Sequence, residues 1–135
     1  MFRTRRRVEF QHCDPAGMVF YPRYFEWTNS VVEEWFAGPL ETPFGDMHGR
    51  LRLGVPTARL EAEFAAPSRL GETLDFTLGC GAPGGSSLPL SIIAACAGET
   101  RMRFSSVLVH VDLDTGRPRR WPDALRARLQ AEARP

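Results

Sequence analysis

Between Tyr24 and Phe36 the chain reads YFEWTNSVVEEWF, and its apolar residues recur with a helical period. On a wheel of about 100° per residue, Tyr24, Phe25, Trp27, Thr28, Val31, Val32, Trp35 and Phe36 fall on one half, and Glu26, Asn29, Ser30, Glu33 and Glu34 on the other. So wide an apolar face needs an extensive partner. Pro22 suits the first helical turn, where its missing N–H costs nothing, and Gly38-Pro39 supplies the stop.

The partner follows in the sequence, where the period changes from 3.6 to 2 after Pro56. Ala58, Leu60, Ala62 and Phe64 alternate with Arg59, Glu61 and Glu63, which predicts a strand with one buried face. Leu74, Phe76 and Leu78 predict a second strand. LPLSIIAACA predicts a third, more fully buried, and RMRFSSVLVHVD a long fourth. Upstream, Thr4, Arg6, Val8 and Phe10 alternate with Arg5, Arg7 and Glu9 as a first strand. A short helix around Phe44 to Leu51 and a final helix from Pro122, carrying Leu125 and Leu129, complete the elements. Strands joined by short turns pair antiparallel, and the long apolar helix must lie under them. The expected fold is α+β, a five-stranded antiparallel sheet wrapped around a long central helix, forming a single domain over residues 1–135. Its open edges invite a second copy of the chain.

Composition limits the partners. Lys+Arg number 17 and Asp+Glu 16, a net charge of +1, which argues against nucleic acid. Arg3, Arg5, Arg6 and Arg7, and later Arg117, Arg119 and Arg120, form local clusters that suit phosphate, although such runs usually mark a solvated strand end and tail. VEFQHCDP stands where the apolar part of an export signal would have to be, and no apolar run reaches the roughly 18 residues that span a bilayer. The expected compartment is therefore the cytoplasm, with no membrane partner. Cys13, Cys80 and Cys96 have no CxxC spacing, and His12, His48 and His110 no HExxH spacing, so neither a disulfide framework nor a metal site is expected.

Asp14-Pro15-Ala16-Gly17 has the residue preferences of a type I turn. Asp14 is thus either a turn residue or a carboxylate held just ahead of the helix, whose first backbone N–H groups, around Phe20 and Tyr21, have no partner within it. Such donors stabilise an oxyanion, and a carboxylate facing them could attack a thioester carbonyl or deprotonate a water that does. Cys13 reads as a buried, inert thiol. Its neighbour His12 points the other way in an extended segment, so the two form no dyad. His110 reads as structural.

VEFQHCDPAGMVFYPRYFEW, Val8 to Trp27, closely resembles the N-terminal signature of the 4-hydroxybenzoyl-CoA thioesterase family of hotdog-fold proteins, in which an Asp-x-x-Gly-x-Val turn precedes the helix. VDLDTGRPRRWPDAL near the end is similar to a pattern of acyl-CoA thioesterases of this group. The resemblance implies an acyl-CoA thioesterase that hydrolyses a short-chain or aromatic acyl-CoA to free acid and CoA, at the interface of a homodimer or of a dimer of dimers, a homotetramer. It implies Asp14 as nucleophile or general base, the Tyr21 N–H as the group that polarises the carbonyl, and no metal or organic cofactor. Gly17 would let the turn approach the substrate, His12 would adjoin the carboxylate, and Tyr24, Phe25 and Trp27 would pack either near the acyl group or in the core. GAPGGSS lacks the basic residues expected to hold CoA phosphates, which leaves Arg101, Arg103, Arg119 or Arg120 for them. Asn29 stands where an acidic partner for a phenolic hydroxyl is expected. A thioesterase acting on acyl carrier protein, docked by the arginines of RTRRR and GRPRR, and a non-catalytic acyl-CoA-binding protein are the alternatives.

Overall fold

The computed structural model describes residues 1–134; Pro135, the last residue of the expected single domain, lies outside the described residues. Five strands form one antiparallel sheet: β1 (Phe2–Arg7), β3 (Thr57–Phe64), β4 (Thr73–Cys80), β5 (Ser87–Cys96) and β6 (Glu99–Val109), in the spatial order β1-β4-β5-β6-β3. Two short strands, β2 (Leu53–Gly54) and β7 (Val111–Asp112), pair separately. The helices are α1 (Arg23–Ala37) and α2 (Asp123–Glu132). No helix among the described residues is long and apolar enough to cross a membrane.

α1 buries the face read from its wheel: Tyr24, Trp27, Thr28, Val31, Val32, Trp35 and Phe36 are inside, while Phe25 is partly exposed. These side chains share one core with Leu74, Phe76 and Leu78 of β4, with Leu88, Leu90, Ile92 and Ala94 of β5, and with Met102, Phe104 and Leu108 of β6. Trp27 meets Phe76 edge-on at 6.1 Å, and Phe25 tilts against Phe104 at 6.2 Å. Arg6 ties the polar side of α1 to β1, donating to Ser30 Oγ and to Glu34 Oε2. Arg5 pairs with Asp75.

Several expectations need correction. β1 stops at Arg7, so Phe10 lies not in a strand but in a 3-10 turn, Phe10–His12, with 82% of its surface exposed. The segment near Phe44 forms a π-helical turn, Gly45–Arg50. β5 is not buried on both sides. Its burial alternates, leaving Pro89, Ser91 and Ile93 outward, because the elements that cover the sheet leave that stretch of its outer face open. β3 has the right parity, since Leu60, Ala62 and Phe64 oppose Ser106, Phe104 and Met102. However, it is an edge strand whose apolar side is covered only in part: Phe64 meets Tyr24 at 5.5 Å and Phe25 at 6.3 Å, yet Leu60 and Phe64 remain 46% and 44% exposed.

Candidate active site

Ahead of α1 the chain folds back on itself. The Asp14 N–H donates to the Met18 carbonyl (2.8 Å), the Phe20 N–H to the His12 carbonyl (2.9 Å), and the Gly17 N–H closes the turn onto the Asp14 carbonyl (3.0 Å). Gly17 adopts φ +78°, which a side chain disfavours, and a Cβ there would meet no atom within 4 Å; backbone freedom rather than space is why glycine fits.

The Asp14 carboxylate is partly engaged. Its Oδ1 accepts from the Ala16 N–H (2.9 Å) and more weakly from the Met18 N–H (3.3 Å), as an aspartate at a turn does. No hydrogen bond reaches Oδ2 among the described residues. The side chain is half-buried, fixed at one oxygen and open at the other.

Of the two donors expected at the helix start, Phe20 is spent on His12. Tyr21 is not: its N–H has no acceptor among the described residues, and its ring is 57% exposed. His12 Nδ1 accepts from the Glu9 N–H (2.8 Å), which leaves the proton of the neutral ring on Nε2, and the ring rests against Trp27 at 4.6 Å. Cys13, expected to be buried, is half-exposed with its thiol near the Glu9 carbonyl; the turn places it at the rim.

Tyr24 and Trp27, expected either beside the acyl group or in the core, are 3% and 5% exposed and pack in the core. Phe25 instead faces a cleft of about 650 Å³ between α1, the π-helical turn and the β3 edge, lined also by Asn29, His48, Leu60, Phe104 and Leu113. Asp14 is not part of its lining.

One group was not anticipated. Arg101, expected as a phosphate contact, is buried. Its Nη1 and Nη2 donate to the two Glu72 oxygens at 2.8 and 3.0 Å, and Nη1 also reaches the Pro67 carbonyl (3.0 Å) and Ser68 Oγ (3.3 Å). Nε lies 2.6 Å from Glu99 Oε1, off the N–H direction, so this contact adds charge attraction without a further hydrogen bond. The Tyr24 hydroxyl donates to Ser68 Oγ (2.6 Å). The Arg101 bonds hold the Glu72 carboxyl down at about 2, and burial pushes the Tyr24 phenol up. The only sequence signal was an arginine placed directly before the apolar Met102 in TRMRF, a pattern Arg103 shares. Arg103 and Arg119 lie within 3.5 Å of Glu63 and Asp112, exposed enough to exchange partners.

A five-stranded antiparallel sheet packed on an aromatic helix, with an Asp turn at the helix start, defines a hotdog-fold protein. The sequence profile of the thioesterase-like superfamily matches residues 8–129, and the chain belongs to that family. It is 41% identical over 32 residues to the 4-hydroxybenzoyl-CoA thioesterase of Pseudomonas sp. (strain CBS-3), a stretch covering 24% of this chain and 23% of that protein's length. The crystal structure of a thioesterase superfamily protein from Jannaschia sp. CCS1 superposes with a TM-score of 0.90 at 21% identity, covering 99% of this chain and 94% of that one. The 1,4-dihydroxy-2-naphthoyl-CoA thioesterase from Synechocystis superposes with a TM-score of 0.86 at 16% identity, covering 95% and 94%.

Proposed function

We propose that this chain, as one domain with its sheet wrapped around α1, hydrolyses an acyl-CoA thioester carrying an aromatic or short acyl group. Asp14 is the reacting carboxylate and the Tyr21 N–H is the oxyanion donor. The observation that carries this is that Asp14 Oδ1 is held by two backbone N–H groups while Oδ2 is open, and the next unspent backbone donor is the Tyr21 N–H at the start of α1.

The thioester oxygen accepts from Tyr21 and gains negative charge as the carbonyl carbon is attacked, and the helix dipole favours that charge. Asp14 attacks directly, giving a mixed anhydride with loss of the CoA thiolate, or takes a proton from a water whose oxygen bonds to the acyl carbon as the CoA thiolate leaves. In the first case one water then hydrolyses the anhydride to the free acid and restores Asp14. His12 bounds the pocket beside the carboxylate and Gly17 keeps the turn open. No cofactor enters either route. Relatives named for hydroxybenzoyl and dihydroxynaphthoyl thioesters support an aromatic acyl group. Exposed Phe20, Tyr21 and Phe64, clustered edge-on at 5.6 and 5.9 Å, offer it a surface. Asn29 in place of an acidic residue favours a ring without a phenolic hydroxyl to be deprotonated. The active species is a homodimer or dimer of dimers, built on the uncovered β3 edge.

The test is steady-state release of CoA thiol from benzoyl, hydroxybenzoyl, phenylacetyl and short to medium aliphatic thioesters by wild type and Asp14→Asn. Loss of about 10³-fold or more in kcat, roughly 4 kcal/mol of transition-state stabilisation, is expected. An unchanged rate would return Asp14 to a turn residue. Label found in Asp14 after single turnover in ¹⁸O-water would establish the anhydride route, since water attacking the Asp14 carbonyl of the anhydride puts its oxygen there and the general-base route never does.

A further inference from the structure

We infer that Arg101 is a positioning residue that locks the Asp14 turn and the start of α1 into one geometry; this rests on the reading of Asp14 and Tyr21 as the reacting pair. The segment Ser68–Glu72 touches both the turn and the strand before it. The Val19 N–H donates to the Ser68 carbonyl (2.9 Å), and the Leu70 N–H to the Gly17 carbonyl (3.1 Å). The Gly71 N–H and Val8 carbonyl (3.0 Å), with the Val8 N–H and Glu72 carbonyl (2.8 Å), extend the contact to the end of β1. The Asp14 turn therefore has its shape set from outside, by this brace.

Arg101 in turn sets the brace. Its guanidinium engages Pro67, Ser68 and Glu72, which span the brace from one end to the other, while Glu72 Oε1 also accepts from the Arg69 N–H (2.6 Å). The Tyr24 hydroxyl reaches the same Ser68 Oγ from the first turn of α1. One buried cation thus connects the element holding the carboxylate to the element presenting the Tyr21 N–H.

A local irregularity delivers it there. Along β5 and β6 the pairing passes from Ala94 with Met102 to Ala95 with Thr100, so Arg101 is the extra residue of a β-bulge. Without the bulge, strict alternation would turn the residue next to buried Met102 to the outer face. Bulges re-aim side chains in this way and are over-represented next to active sites. The fork geometry matters as well, because only an arginine can meet both carboxylate oxygens and two further acceptors from one planar group.

The test compares Arg101→Met, Arg101→Lys and Tyr24→Phe with Asp14→Asn and with Leu129→Ala, a core truncation in α2 away from the turn. Each is assayed on the best-turned-over thioester of the panel, well below its melting temperature, with amide hydrogen exchange read at Val19 and Leu70. For Arg101→Met the expected result is a fall in kcat on the order of 10- to 100-fold with KM within about twofold, since small misplacements of reacting groups cost that much. Exchange at Val19 and Leu70 should accelerate. Arg101→Lys should recover part of kcat. Tyr24→Phe, which leaves no charge unpaired and so keeps the test available if Arg101→Met does not fold, should give a smaller loss of the same kind. Leu129→Ala should lower the melting temperature and leave kcat unchanged. The inference is overturned if folded Arg101 and Tyr24 variants keep wild-type kcat and exchange while Asp14→Asn is dead, or if Leu129→Ala lowers kcat equally. If Asp14→Asn itself stays active, the reading of the site falls and the inference falls with it.

Discussion

Arg101 grips Glu72 through two parallel N–H···O bonds of 2.8 and 3.0 Å, a charge-assisted pair that joins the bulge in β6 to the loop before β4. Because Arg101 holds the Glu72 carboxyl at about 2, against 4.5 for a free side chain, the folded state resists its protonation. A depressed carboxylate stabilises the fold above its unfolded pKa, and that contribution is lost as pH falls through the folded value. Denaturant midpoints should therefore fall between about pH 4.5 and 2, by up to about 3 kcal/mol. Glu72→Gln should be less stable at neutral pH and show a flatter acid limb. Parallel acid limbs for the two proteins would contradict the assignment.

Gly17 carries φ +78° with open space where a Cβ would go. Gly17→Ala should therefore cost about 1 kcal/mol through backbone strain alone. In the proposed site it should also lower kcat, because the turn holds Asp14. Gly45→Ala, where φ is ordinary and space is equally open, is the control and should change the urea midpoint little.

The sequence disclosed the elements whose periodicity is strong and local. Trp27, Val31 and Trp35 lie where the wheel puts them, and Leu74, Phe76 and Leu78 alternate inward as spaced. It disclosed the Asp14 turn because Asp, Pro and Gly each have a local reason to be there. It could not show that β3 is an edge, since alternation gives the parity of Leu60 and Phe64 and says nothing of what covers them. Nor could it place Arg101, whose direction is decided by a one-residue mismatch with β5 and whose partners, Ser68 and Glu72, lie about thirty residues away in the chain. For Tyr24 the helical period left both core and acyl-side packing open; its ring lies in the core, and its hydroxyl bond to Ser68 had no local signal.

His110 is fully buried, stacked on Trp121 at 4.8 Å, with Nδ1 2.7 Å from the Arg119 carbonyl and Nε2 without a partner. Burial lowers its pKa, because protonation would place a charge and an unanswered N–H in the core. The neutral ring stabilises the fold fully above the unfolded value near 6.5, and this is lost as pH falls toward the lower folded value. His110→Phe keeps the stack and removes the titration. The difference in urea stability between wild type and His110→Phe should thus shift against wild type by up to about 1.4 kcal/mol per pH unit below 6.5. A difference that does not change with pH would mean that His110 does not titrate with folding.

β3 exposes Leu60 and Phe64 on an edge strand that, among the described residues, pairs only with β6, and an apolar edge of this kind either aggregates or is covered by another chain. The arginine and two glutamates that alternate with the apolar residues, Arg59, Glu61 and Glu63, keep the opposite face solvated, so the apolar face is the part left to associate. Sedimentation equilibrium should therefore show a homodimer or a dimer of dimers whose melting temperature rises with concentration. Leu60→Glu places a charge on that face without entering the core, and so should shift the population toward monomer while leaving the monomer folded. Wild type sedimenting as a monomer at every concentration, or Leu60→Glu associating as strongly as wild type, would exclude the β3 edge as the contact.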